Sequence, residues 1–173
     1  MRILLEGRPG AGKSTIARRL AGTLGDEGIP VTGFVTEEIR RSGRRLGFSL
    51  ARLGGERGLL AHVELPGPPR VGRYGVDLAA LERLAIPVLQ EASERDVAIV
   101  DELGKMELAS LSFREAFSAL LDRRVPVVAT VQSAPHPFTD VLKRRRDIEL
   151  LLVTTANRDE LPELLAARLR SIR

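Results

Sequence analysis

The chain has 173 residues, of which 43% are hydrophobic, and its 27 Lys and Arg against 23 Asp and Glu leave a net charge of +4 at pH 7. That length suits one α/β domain with its own core, residues 1–173 as a single unit, and is short for two. The absence of cysteine excludes disulfides and thiolate metal sites, no apolar run approaches the ~18 residues of a membrane span, and 3% aromatics argue against a nucleic-acid partner.

Ile3-Leu4-Leu5 reads as a buried strand, and it leads into Gly7-Arg8-Pro9-Gly10-Ala11-Gly12-Lys13-Ser14, which fits G-x-x-x-x-G-K-[ST] without a mismatch. The glycines let successive backbone N–H groups turn inward onto phosphate oxygens, and the helix that follows adds the partial positive charge of its N-terminus. Lys13 is placed to reach the β- and γ-phosphates, Ser14 to ligate Mg²⁺, and Thr15 to continue the cradle. The helix is expected from about Gly12 to Gly25, with Ile16, Leu20 and Leu24 on its buried stripe. Arginine supplies nearly all the cations. The three lysines, Lys13, Lys105 and Lys143, stand out against that bias, because a compact ammonium fits a phosphate cradle where a guanidinium fork does not.

From Val31 to Glu64 the pattern changes to strand-like stretches around Phe34 to Ile39, Arg45 to Leu53 and Gly58 to Glu64, punctuated by Ser42-Gly43 and Gly54-Gly55. The expectation is a small antiparallel meander at one edge of the sheet, residues 31–64, followed by a proline-rich loop over 65–76. Strand alternation sends only one of Glu37 and Glu38 toward a site. Helical spacing follows at Leu78, Leu81, Ala85, Val88 and Ala92, then at Phe113, Ala116, Phe117, Leu120 and Leu121. Leu161, Leu164, Leu165, Leu169 and Ile172 mark a last helix, and Thr139 to Arg146 a shorter one. The runs Val97 to Asp101, Val125 to Val131 and Ile148 to Thr155 read as parallel strands covered on both faces. The fold class is therefore α/β: a doubly wound, mainly parallel sheet of the P-loop type with the meander at its edge.

Asp101 and Glu102 close an apolar strand, and in a parallel sheet all carboxyl ends share one rim with the phosphate loop. Asp101 is thus a second Mg²⁺ ligand, and Glu102 a carboxylate that orients a water or accepts its proton near the γ-phosphate. Lys105 either neutralises developing phosphate charge or pairs with Glu102 or Glu107. Among Arg144, Arg145 and Arg146, Arg145 is the candidate internal arginine finger, set against a plain solvated face. Arg158 is a candidate to stack on a base, and Asn157 to contact one or simply to cap a helix. His62 and His136 are isolated, which argues against a transition-metal site.

Five blocks carry a resemblance: Gly7 to Thr15, Gly33 to Arg40, Gly43 to Phe48, Val71 to Asp77, and Asp101-Glu102-Leu103-Gly104-Lys105-Met106-Glu107-Leu108. In these the chain resembles the small P-loop nucleoside-triphosphatases of the cancer-related type, and Arg145 to Asp147 and Asn157-Arg158 agree more loosely. The resemblance implies Mg²⁺-dependent hydrolysis of ATP, GTP and other nucleoside triphosphates, with broad base tolerance and slow turnover. A cytoplasmic enzyme, monomeric by default, is the resulting expectation. The same cradle and acids would serve a phosphotransferase with an acceptor hydroxyl, or a nucleotide-switched binding module, although Asn157-Arg158-Asp159 is not the Asn-Lys-x-Asp of switch GTPases.

Overall fold

A computed structural model describes residues 1–172. One nine-stranded mixed sheet runs through it in the order β5 (Arg70–Val71), β6 (Tyr74–Val76), β4 (Arg57–His62), β3 (Arg44–Arg52), β2 (Val31–Arg41), β7 (Val97–Leu103), β8 (Val127–Gln132), β1 (Arg2–Gly7), β9 (Glu149–Leu152). Five of its strands are mutually parallel where they meet: β1 (Arg2–Gly7), the first part of β2 (Val31–Arg41), β7 (Val97–Leu103), β8 (Val127–Gln132) and β9 (Glu149–Leu152). Alternate residues along these strands feed two separate cores, as the period of two requires. Ile3 and Leu5 of β1 and Val97 and Ile99 of β7 pack under α1 (Lys13–Asp26) and α5 (Leu161–Arg170). On the opposite face, Leu4, Ala98, Val100 and Ala129 pack under α2 (Leu78–Glu91) and α3 (Leu111–Leu121). Capping fixes where two of these helices begin: Asp77 accepts the Ala80 N–H at 2.9 Å, and Ser110 the Phe113 N–H at 3.0 Å.

The antiparallel part does not begin at residue 31 as the sequence suggested. Val31 to Phe34 pair in parallel with Val97 to Val100, whereas Phe34 to Arg41 pair antiparallel with β3 (Arg44–Arg52). β2 is therefore one strand serving both halves of the sheet, and the meander is a continuation of the core rather than an attachment. Gly33 marks the change. It has φ +115°, and a Cβ built there would lie 1.9 Å from the Ile99 carbonyl oxygen, so no side chain fits. β4 (Arg57–His62) pairs with β3, and the stretch expected as loop contains a tiny hairpin, β5 (Arg70–Val71) and β6 (Tyr74–Val76), too short to announce itself by alternation.

Two further expectations are corrected. The run Ile148 to Thr155 is parallel but not covered on both faces: Leu151 packs against the core under α1 and α5, whereas Leu150 and Leu152, on the other face of β9, are 39% and 61% exposed. In α5, Leu161, Leu165 and Leu169 form the buried stripe, while Leu164 and, beyond the helix, Ile172 face outward. The shorter helix is α4 (Pro137–Lys143). No helix among the described residues is long and apolar enough to cross a membrane.

Candidate active site

The phosphate loop leaves β1 at Gly7 and enters α1 at Lys13. Gly10 (φ +79°) and Gly12 (φ +103°) both occupy left-handed backbone, which glycine adopts without a steric penalty. Gly12 is also the N-cap of α1 and offers no side chain, so the first N–H groups of the helix stay open to an anion. Lys13 is 6% exposed and folds back along the loop: its Nζ donates to the Gly7 carbonyl at 2.9 Å and lies 3.9 Å from Glu102 Oε1. With a longer contact to the Arg8 carbonyl at 3.5 Å, the ammonium is held at the loop mouth by two carbonyls and one carboxylate.

Asp101 lies at the centre of the constellation and is fully buried. Ser14 Oγ donates to its Oδ1 at 2.9 Å and Thr130 Oγ1 to the same oxygen at 2.7 Å. Its Oδ2 accepts from the Thr36 hydroxyl at 3.3 Å and the Thr36 N–H at 3.4 Å. Three elements, α1, β2 and β8, thereby satisfy one desolvated carboxylate, which would otherwise be costly to keep charged. The spatial coincidence expected from the sequence is present: Ser14 and Asp101, 87 positions apart, touch.

Adjacent residues of a strand normally point to opposite faces, yet Asp101 and Glu102 both serve this rim. The backbone is irregular there: Val100 pairs with Ala129 and Leu103 with Val131, so β7 carries one extra residue, and the Asp101–Glu102 peptide is cis. The bulge turns Glu102 into the cleft, 29% exposed, where burial raises its pKa above the usual carboxylate value against the opposing pull of Lys13. Beyond it the chain turns back, and Glu107 buries its carboxyl beneath the turn, with Oε2 accepting the Gly104 N–H at 3.2 Å. Burial is the main reason that its pKa is pushed up to about 8, with the neighbouring charges of Glu102 and Asp101 adding to it. Glu107 is accordingly a neutral acid near pH 7.

These groups open on a cleft of about 520 Å³, lined on one side by the phosphate loop and on the other by Thr36, Glu38, Arg45 and Phe48, with Glu102 among its walls. Of the two meander acids, Glu38 lies here, while Glu37 pairs with Arg57 at 2.8 Å. Hard oxygen donors at Ser14 and Asp101 suit Mg²⁺, which keeps waters and substrate phosphates in its shell and needs only one or two protein ligands. The described residues contain no group of three or more His, Cys, Asp or Glu that could hold a metal ion.

The other candidates divide. Lys105 is exposed and makes no ion pair with Glu102 or Glu107; it borders a smaller hollow of about 170 Å³ next to Glu102. Arg145 is a correction: its guanidinium grips Asp147 at 2.8 and 3.0 Å and Asp122 at 3.2 Å, and Asp147 also meets Arg2 at the start of β1. That places Arg145 at the opposite rim of the sheet from the phosphate loop, too far round to act as a finger. Asn157 spends its amide locally, accepting from the Thr154 N–H and donating to the Leu152 carbonyl, both at 2.9 Å. Arg158 stays near the site: a Cβ added to Gly12 would meet its Cδ at 3.4 Å, and it borders a hollow with Thr15 and Arg19. Sequence reasoning missed Thr36 and Thr130 as partners of Asp101, because a single threonine in a strand carries no pattern. Alternation from Glu38 to Thr36 was the one available signal for the first.

Comparison with known proteins agrees with this geometry. A family model described as NTPase matches residues 2–166. Nucleoside-triphosphatase THEP1 of Thermotoga maritima is 42% identical over 162 residues, covering 93% of this chain and 91% of its own. The human cancer-related nucleoside-triphosphatase is 38% identical over 173 residues, covering 92% and 91%. Two solved structures superpose closely: the human cancer-related nucleoside triphosphatase, with TM-score 0.86, 36% identity and 99% and 98% of the two chains covered, and THEP1 of Aquifex aeolicus, with TM-score 0.88, 34% identity and 98% and 99% covered. Sequence, sheet order and loop geometry converge, and the chain belongs to the NTPase family.

Proposed function

We propose that this protein is a Mg²⁺-dependent nucleoside-triphosphatase that cleaves the β–γ bond of ATP, GTP and other nucleoside triphosphates, giving diphosphate and phosphate. The observation that carries the reading is the 2.9 Å contact between Ser14 and Asp101, with Glu102 3.9 Å from Lys13 in the same cleft. Loop N–H groups and Lys13 hold the β- and γ-phosphates, while Ser14 and Asp101 would hold the Mg²⁺. When bound, the ion neutralises charge on the phosphate oxygens. Glu102 accepts a proton from the attacking water as the new oxygen–phosphorus bond forms and the β–γ bridge breaks. Its raised pKa suits that role, since a carboxylate in a desolvated cleft is a stronger base than one in water.

Broad base tolerance finds support in the loop after β9. Asn157 uses its amide oxygen and one amide N–H within its own loop, and Arg158 and Arg19 border the hollow of about 250 Å³ beside Thr15. A guanidinium plane stacks on any base. A monomer in the cytoplasm, where such substrates are abundant, completes the reading. The hollow beside Lys105 is the one feature that favours a phosphotransferase, as it adjoins Glu102 and has room for a small acceptor.

Phosphate release from Mg²⁺-ATP alone, with no acceptor added, tests the proposal. Wild-type protein is expected to turn over slowly, and Glu102→Gln to bind equally well while releasing phosphate about 10²-fold more slowly or worse. Negligible wild-type release until an acceptor is supplied would favour the phosphotransferase, and wild-type turnover in the Gln variant would remove Glu102 from the mechanism.

A further inference from the structure

Two blocks singled out in the sequence, Gly43 to Phe48 and Val71 to Asp77, have no part in the scheme above, and they meet at one arginine. The Arg45 guanidinium lies over the Phe48 ring, 5.2 Å from its centroid, and 5.9 Å from that of Tyr74. The two rings pack edge to face at 5.4 Å, and Tyr74 is buried. Arg45 Nε donates to the Tyr74 hydroxyl at 3.1 Å, and Nη1 to Glu38 at 2.6 Å. Arg73 closes the assembly, donating to the same hydroxyl at 3.2 Å and to the Arg45 carbonyl. Arg45 is thus oriented by two hydrogen bonds and a ring face, while its Nη2 has no hydrogen-bond partner among the described residues.

Glu38, Arg45 and Phe48 form a wall of the same cleft that Lys13, Ser14 and Glu102 line. Lys13 rises from the loop side, so Arg45 approaches from the other. The remaining cation on the cleft, Arg18, is already a tie between α1 and β2: its Nη1 donates to the Thr36 carbonyl at 3.1 Å and sits 4.0 Å from Glu37. Arg145 is at the far rim. Arg145 therefore presents nothing to the cleft, and Arg18 is held through Nη1 alone among the described residues, whereas Arg45 is fixed by two hydrogen bonds and a ring face.

We propose that Arg45 is a catalytic residue of this cleft, meeting the terminal phosphoryl group of the nucleotide on the side opposite Lys13, with Tyr74 and Glu38 as its positioning residues. The inference rests on the proposed hydrolysis. As phosphoryl transfer proceeds, charge shifts over the phosphoryl oxygens and the leaving bridge oxygen, and a pre-oriented planar fork stabilises it without reorganising in the reaction. An ammonium does not reproduce the planar geometry of a guanidinium. The carboxylate of Glu38 has a second cation, Arg40 at 2.6 Å, and Arg45 meets the phosphate through its unpartnered Nη2 without leaving Glu38 or Tyr74.

Steady-state phosphate release and Mg²⁺-ATP titration on the full chain test this, with urea midpoints to confirm folding. Arg45→Ala is expected to lower kcat by about 10²-fold or more while KM moves by less than about fivefold, and Arg45→Lys to recover little of the loss. Tyr74→Phe keeps the ring stack but removes the hydroxyl, and should lower kcat by about threefold to tenfold at unchanged KM, which a merely structural role would not do. Arg44→Ala, exposed on the same hairpin, should match wild type. A folded Arg45→Ala with kcat within about twofold of wild type, or full rescue by lysine, overturns the assignment. Absence of phosphate release from wild-type protein would instead overturn the hydrolysis itself, so the two failures are distinct.

Discussion

Replacing Asp101 by Asn separates the structural from the chemical role of the central carboxylate. The carboxylate accepts four hydrogen bonds, two short ones from Ser14 and Thr130 on Oδ1 and two longer ones from Thr36 on Oδ2. An asparagine keeps the short pair if its oxygen takes the Oδ1 position. Its NH₂ group then faces the Thr36 hydroxyl, which can rotate to accept, and the Thr36 N–H, which cannot. One bond to a charged acceptor is lost and two donors are opposed, a cost of about 1–3 kcal/mol in a buried site. With a urea m-value of about 2 kcal/mol/M, the midpoint of the Mg²⁺-free protein should fall by about 0.5–1.5 M. The second reading is ligand-linked: Mg²⁺-ATP should raise the wild-type midpoint, and the variant should lose most of that rise, because it has lost the negative charge that complements the ion. An unchanged midpoint would refute the hydrogen-bond account. A lowered midpoint with the full Mg²⁺-ATP effect retained would make Asp101 a structural brace only.

Gly33→Ala should unfold the protein or destabilise it by more than about 4 kcal/mol, since the added methyl would meet the Ile99 carbonyl at 1.9 Å in backbone that disfavours any side chain; a urea midpoint near wild type would show that β2 can shift to make room. Glu107 predicts a pH dependence of stability. Its folded pKa of about 8 exceeds its ordinary value of 4.5, so the folded state binds the extra proton, and stability should fall as pH rises from about 4.5 to about 8 and level off above. Glu107→Gln should flatten that slope in urea titrations across the window, and an undiminished slope would assign it to other groups.

The phosphate loop was legible because its chemistry is contiguous: eight residues, a preceding strand and a following helix carry the whole signal. Asp101 and Glu102 were legible because an apolar run ends on them, and parallel strands end at a common rim. The bulge that brings both acids to the cleft was not, as it depends on the partner β8 rather than on β7 itself. Arg45 and Arg145 look alike in an arginine-rich chain; one faces a cleft and the other is locked by Asp122 and Asp147, and only tertiary pairing tells them apart. The run Ile148 to Thr155 read as covered on both faces for the same reason, since what packs over a strand is not written in its own composition. Glu107 sits on a short turn with no periodicity to mark its burial.

β2 acts as a ruler. Its first four residues are registered against β7, and Thr36 and Glu38 follow on one side of the same ribbon, about 7 Å apart at the usual strand rise. Thr36 grips the aspartate and Glu38 grips Arg45, so the distance from the buried acid to the arginine wall is set by covalent geometry instead of by loop conformation. A single residue inserted between them would turn Glu38 to the other side and part the two walls, without changing one residue of either.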